Sequence, residues 1–156
     1  MLPERMKLQL RNRRLLVFAA LTILAGGGLI AFSQKANPVS YDDPQMIARG
    51  RELFNANCST CHRAQAEGEN PAGVFYGKKP DGSYWVPALN GTAHTWHHSP
   101  DGLFQQIKRG SSQLGSPMRG WKGRLSDREI HAVIAYFQSL WPEDLRQRYR
   151  QTFGRD

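Results

Sequence analysis

The chain has 156 residues, 22% of them charged, and a formal net charge of +8 at pH 7. Part of that length is a leading apolar segment, so a single small domain is the expectation. Half of the net charge lies before residue 15, in Arg5, Lys7, Arg11, Arg13 and Arg14 against Glu4, so the mild balance of the rest gives no ground for nucleic-acid binding.

Residues 1–14 read as a basic N-terminus facing the cytoplasm. Leu15 to Phe32, LLVFAALTILAGGGLIAF, carries no charge and follows Arg13 and Arg14 directly. Its length stands at the border between a signal-peptide core and a membrane-spanning helix. The expectation is a single retained transmembrane anchor over residues 15–32, oriented by the basic flank. Ala31 and Ser33 offer the alternative of a cleavage site, in which case loss of residues 1–33 leaves an exported soluble protein. Either route places the remainder on the periplasmic side of a bacterial cytoplasmic membrane. Residues 33–43 are a polar linker containing Pro38.

Asp43-Pro44 pairs a helix cap with proline at the first helical position. The helix is expected to reach about Asn55, with Ile47, Gly50, Leu53 and Phe54 on one side. Glycine weakens a helix, so Gly50 implies close approach by another element.

Next comes Cys58-Ser59-Thr60-Cys61-His62. This is Cys-x-x-Cys-His, the attachment signature of c-type haem. Two thiols three positions apart can form thioethers to one porphyrin edge, and the following imidazole then reaches the iron. A thioredoxin-like dithiol is expected beside a βαβ pattern, which is lacking here, and an all-cysteine zinc site needs a second cysteine pair. These are the chain's two cysteines.

Arg63 to Lys79 reads as loop. Val74-Phe75-Tyr76 and Ser83-Tyr84-Trp85-Val86 flank a Pro-Asp-Gly turn signal, so a small hairpin is possible. Its aromatics would either cover a haem edge or close a loop. Ser99-Pro100 repeats the cap-plus-proline pattern, and Leu103, Phe104 and Ile107 form that helix's apolar stripe. Lys108 and Arg109 occupy its last turn, before Gly110. Ser126 and Glu129 make a capping box, with Leu125 and Ile130 as a staple. Ile130, Val133, Ile134, Phe137 and Leu140 form the buried face, and Pro142 limits the helix. Glu143 to Asp156 reads as a charged tail, a frayed helix or disordered.

His62 leaves a second axial position on the iron. Met118, His94, His97, His98 and His131 are the downstream candidates, with His131 expected to be exposed. Met118 follows Pro117 in an irregular stretch between two helices, and Trp121 nearby can pack on the haem. The remaining role for such a methionine is to fill the core.

From about Pro44 to Trp141 the chain resembles a class I cytochrome c, through GRELFNANCSTCH, PALNG, the Met118 loop and EIHAVIAYFQSL. The resemblance implies a small all-α fold around one covalent haem c, over residues 44–141, with residues 142–156 as tail. It implies that the first and last helices cross, Gly50 and Phe54 meeting Val133 and Tyr136. It implies that Cys58 and Cys61 bind the haem and that His62 and Met118 ligate the iron. Pro87 would then accept a hydrogen bond from His62. The N-terminal anchor and the stretch AHTWHH depart from the small soluble members.

The expected function is single-electron transfer by a membrane-attached mono-haem cytochrome, without catalytic residues of its own, as a free carrier or a subunit of an oxidoreductase complex. Its partners would be a terminal oxidase, a quinol-oxidising complex or a dehydrogenase. Lys108, Arg109, Arg119, Lys122 and Arg124 flank the Met118 loop and could steer an acidic partner, or be ordinary surface charge. Two alternatives stand beside this. One is a haem sensor or peroxidase-like enzyme with His94 or His98 on the distal side. The other is a metal-binding accessory protein using His94, His97 and His98.

Overall fold

The computed structural model describes residues 39–70 and 77–154. The expected anchor over residues 15–32 and the aromatic triplet Val74-Phe75-Tyr76 lie outside these described residues. Among the described residues no helix is long and apolar enough to cross a membrane.

Helix α1 spans Pro44–Asn57, two residues past the expected end. The Asp43 carboxylate accepts from the Gln45 amide at 2.9 Å, and Pro44 opens the first turn without a donor to satisfy. Helix α2, Pro100–Arg109, starts the same way, the Ser99 hydroxyl accepting from Gly102 N at 3.1 Å. It stops at Gly110, whose φ of +84° suits glycine. Helix α3, Asp127–Ser139, carries the complete capping box of Ser126 and Glu129.

The core forms where α1 packs on α3. Phe54, Ile130 and Ile134 have no solvent exposure, and Val133 and Phe137 have almost none. Burying each of these side chains contributes about 1.5–3 kcal/mol. Gly50 is the contact that lets the two helices close. A Cβ there would stand 1.9 Å from the Ala132 carbonyl oxygen, which belongs to the backbone of α3. The rings of Phe54 and Tyr136 lie 5.2 Å apart beside it, as the resemblance implies for these positions.

The segment after Pro142, for which a frayed helix or disorder is expected, is a helix, α4, Glu143–Phe153. Its charges hide a stripe at four-residue spacing, Leu145, Tyr149 and Phe153, of which the first two are buried. Trp141 meets Tyr149 edge to face at 5.0 Å, and the far side of α4 pairs Arg150 with Asp42 at 3.3 Å. His131 is half-buried rather than exposed: it stacks on Phe104 at 4.7 Å, and its Nδ1 shares a 2.8 Å hydrogen bond with the Tyr41 hydroxyl. Of the possible hairpin, whose first arm lies outside the described residues, the described part shows one bridge, Lys78 with Tyr84, closed by the Asp81 carboxylate accepting from Ser83 N at 2.9 Å. No strand longer than such bridges occurs among the described residues.

Candidate haem site

Cys58 ends α1, and a single helical turn, Ser59–His62, continues from it. The turn exists because the His62 amide bonds Cys58 O at 2.9 Å and the Arg63 amide bonds Ser59 O at 2.7 Å. Cys58, Cys61 and His62 thus share one rigid piece anchored to the core. Both thiols are free, Cys58 half-buried and Cys61 exposed. Burial, with Cys61 beside it, pushes the Cys58 thiol up to about 11.

His62 is 8% exposed. Its Nδ1 lies 3.0 Å from the Pro87 carbonyl oxygen. A carbonyl can only accept, so Nδ1 carries the proton and Nε2 is left as a lone pair pointing away. Burial lowers the affinity of His62 for a second proton, opposed by the Pro87 bond and by Glu69. The side chain is therefore a neutral imidazole ready for a metal ion, oriented by its outer bond.

What puts the Pro87 carbonyl there is the loop after His62. Glu69 N bonds Val86 O at 2.8 Å and Leu89 N bonds Ala66 O at 2.7 Å, which staples the two segments together. Gly68 lies between them at φ +66°, where a Cβ would come 2.4 Å from the Ala88 amide. Gly68 was not singled out from sequence; its signal is weak, one glycine in a polar loop.

Met118 is held by backbone pairing along the end of α2. Ser111 N bonds Met118 O at 3.0 Å, Trp121 N bonds Ile107 O at 3.1 Å and Lys122 N bonds Lys108 O at 3.0 Å. Gly110 and Gly120 make this approach possible, since a Cβ on Gly120 would meet the Arg109 carbonyl at 2.6 Å. The Met118 sulfur is 3.9 Å from Gln106 Nε2.

Cys58, Cys61, His62, Pro87 and Met118 all line one cavity of about 560 Å³. That volume suits a cofactor larger than a metal ion. Its apolar wall includes Trp85, Leu103, Ile107 and Phe137, and among the described residues no Asp or Glu lines it. His94 and His98 line it too, whereas His97 and His131 do not. A flat apolar macrocycle with anionic substituents matches this lining in shape, polarity and sign.

The family model for cytochrome c matches residues 47–141, more than half of the chain. The protein belongs to the cytochrome c family. This cytochrome c has the small, mostly helical fold of that family, and its cofactor is one covalently bound haem c. The motif residues fit the group: two free thiols and a neutral, oriented imidazole face the cavity together.

The solved structures similar to this chain include two that can be named. Cytochrome cL from the marine methylotrophic bacterium Methylophaga aminisulfidivorans is 26% identical, with a TM-score of 0.49 over 69% of this chain and 62% of that one. A chain from a reducing HAO-like protein complex of Kuenenia stuttgartiensis is 21% identical, with a TM-score of 0.47 over 64% of this chain and 46% of that one. The chain thus spans less than two thirds of either relative's length.

The remaining histidines do not assemble a metal site. His94 and His98 approach each other at 5.4 Å between ring centroids, but His97 lies against Trp96 at 3.7 Å. Among the described residues no three His, Cys, Asp or Glu side chains converge as metal ligands would. The expected basic rim is also narrower. Lys108 is bound to Asp127 at 2.7 Å, leaving Arg119 and Arg124 as the rim cations that reach the cavity.

Proposed function

We propose that this cytochrome c is a membrane-attached, one-electron carrier of the periplasm, with His62 and Met118 as the axial ligands of its haem iron. The observation that carries the reading is that His62, its Nδ1 tied to Pro87, and Met118 line one cavity together with Cys58 and Cys61. When bound, the haem supplies a one-electron iron couple, and thioether ligation favours the reduced state over a second imidazole. The chain's residues orient His62 through Pro87, fix Met118 through the backbone pairing of Ser111 and Trp121, and keep water from the iron with Leu103, Ile107 and Phe137. Arg119 and Arg124 support docking of an acidic redox partner, such as a terminal oxidase, a quinol-oxidising complex or a dehydrogenase. Membrane attachment rests on the uncharged run Leu15 to Phe32 behind Arg13 and Arg14.

The test is the near-infrared spectrum of the ferric protein. A sulfur-to-iron charge-transfer band in the native protein that is lost in Met118→Ala is the expected result. Its absence from the native protein, with rapid carbon monoxide binding after reduction, would favour the second reading. In that reading His94 or His98, both facing the cavity, serves an open iron site as acid–base partner. Fractionation of the native chain addresses attachment: a haem protein released without detergent overturns the anchor.

A further inference from the structure

Asn90 stands in the short stretch that joins the haem site to α4. The Leu89 carbonyl before it is held by Trp141. Gly91 after it is seated so closely that a Cβ would come 3.0 Å from the Leu145 side chain and 3.2 Å from the ring of Pro142. Every other asparagine of the chain is followed by a residue with a side chain, and Asn90 alone by glycine.

The side chain of Asn90 is folded forward along that glycine. Its Oδ1 accepts from the Thr92 hydroxyl at 2.7 Å and from the Thr92 amide at 3.3 Å. This is the turn in which a side-chain carbonyl reaches the backbone two residues on. Two donors on one oxygen draw electron density from Cγ. They also stabilise the negative charge that develops on Oδ1 when a nucleophile adds to that carbon. The adjoining main-chain nitrogen is free to be that nucleophile. Among the described residues nothing accepts a hydrogen bond from the Gly91 amide, and glycine has no Cβ to cover it. Asn90 and Gly91 are half-buried and Thr92 is exposed, so water and base reach the site.

We propose that Asn90 is a self-modification site, at which the main-chain nitrogen of Gly91 displaces the side-chain amide of Asn90. The Gly91 nitrogen gives its proton to hydroxide and bonds to Cγ. The Cγ–Nδ2 bond breaks, and Nδ2 takes a proton from water and leaves as ammonia. A cyclic imide remains, which water then opens at one of its two carbonyls. Breaking the new Cγ–N bond gives aspartate in an unaltered main chain. Breaking the original peptide bond gives an isoaspartyl link, whose main chain runs through Cβ and Cγ. Nothing is oxidised or reduced in either route.

The two products differ in what they do to the fold. Aspartate adds a negative charge to a turn open to water. The isoaspartyl link adds a carbon to the main chain between Leu89, tied to Trp141, and Gly91, seated on Leu145. Both contacts cannot then persist as they stand, so α4 loses part of its seat as the protein ages.

The experiment is peptide mapping by mass spectrometry of the haem-loaded full chain, held at mildly alkaline pH and sampled over days, beside a free peptide of residues 86–95. Conversion is expected at Asn90 and at no other asparagine, no more slowly than in the peptide, with aspartyl and isoaspartyl products and an equal amount of ammonia. Thr92→Val keeps the shape of the side chain and removes its hydroxyl donor. It should slow conversion severalfold, less than the roughly hundredfold of an enclosed oxyanion hole, because this turn is open to water. The isoaspartyl fraction should unfold at lower urea than the unconverted chain. Slower conversion in the folded chain than in the peptide, or a Thr92→Val rate equal to the native one, would overturn the proposal.

Discussion

The indole Nε1–H of Trp141 donates to the carbonyl oxygen of Leu89 at 2.6 Å, with Trp141 only 3% exposed. The bond fastens the end of α3 to the segment that carries Pro87, and through it to the orientation of His62. Trp141→Phe keeps the ring packing but leaves the half-buried Leu89 carbonyl without its donor. A loss of about 1–3 kcal/mol is expected in chemical denaturation of the holoprotein. A variant as stable as the native chain would show that water replaces the bond.

Gly50→Ala places a Cβ against the Ala132 carbonyl oxygen, and neither helix backbone can yield without opening the core around Phe54. Overpacking of this kind costs about 1–3 kcal/mol, and the upper end is expected here because the obstacle is main chain. Urea titration of the two proteins side by side measures it. A neutral outcome would mean that α1 and α3 separate freely.

Acidification should weaken the fold through His131. Burial holds this imidazole below its ordinary value, opposed by Asp127 and Asp101. The unfolded chain therefore takes up the proton first. Stability is full above the unfolded value of about 6.5 and declines as pH falls from there to the lower folded value. His131→Gln should flatten that part of the stability profile, measured by denaturation at stepped pH. An unchanged slope would exclude His131 as its source.

Removing α4 by ending the chain at Pro142 exposes Trp141 and deletes Leu145 and Tyr149 from the core. The milder pair Leu145→Ala and Tyr149→Phe separates packing from hydrogen bonding. The first should cost about 2–5 kcal/mol as a buried leucine deletion, the second about 1 kcal/mol as a lost bond to the His98 carbonyl. Thermal melts of both variants test the order, and a larger loss for Tyr149→Phe would reverse it.

Features set by neighbours in sequence were legible in advance. Asp43-Pro44, Ser99-Pro100 and the Ser126–Glu129 box cap their helices because a cap needs only the next three residues. The cofactor was legible for the same reason, since Cys58, Cys61 and His62 lie within one turn. What escaped depends on partners distant in the chain. His131 reads as exposed in the sequence because its partner, Tyr41, lies 90 residues away. Lys108 was counted in a basic rim because its carboxylate, Asp127, lies on another helix. Glu143 to Phe153 looked like solvated tail because charge outweighs its stripe, and the stripe acquires meaning only when Trp141 and Gly91 offer a surface to receive it.

Among the described residues, Tyr41 and Asp42 are the first side chains to engage the domain, fastened to His131 and to Arg146 and Arg150. None of these residues belongs to the cavity wall. The hold of the segment before Pro44 therefore falls on α3 and α4, and a change at Tyr41 or Asp42 leaves the lining of the haem cavity untouched.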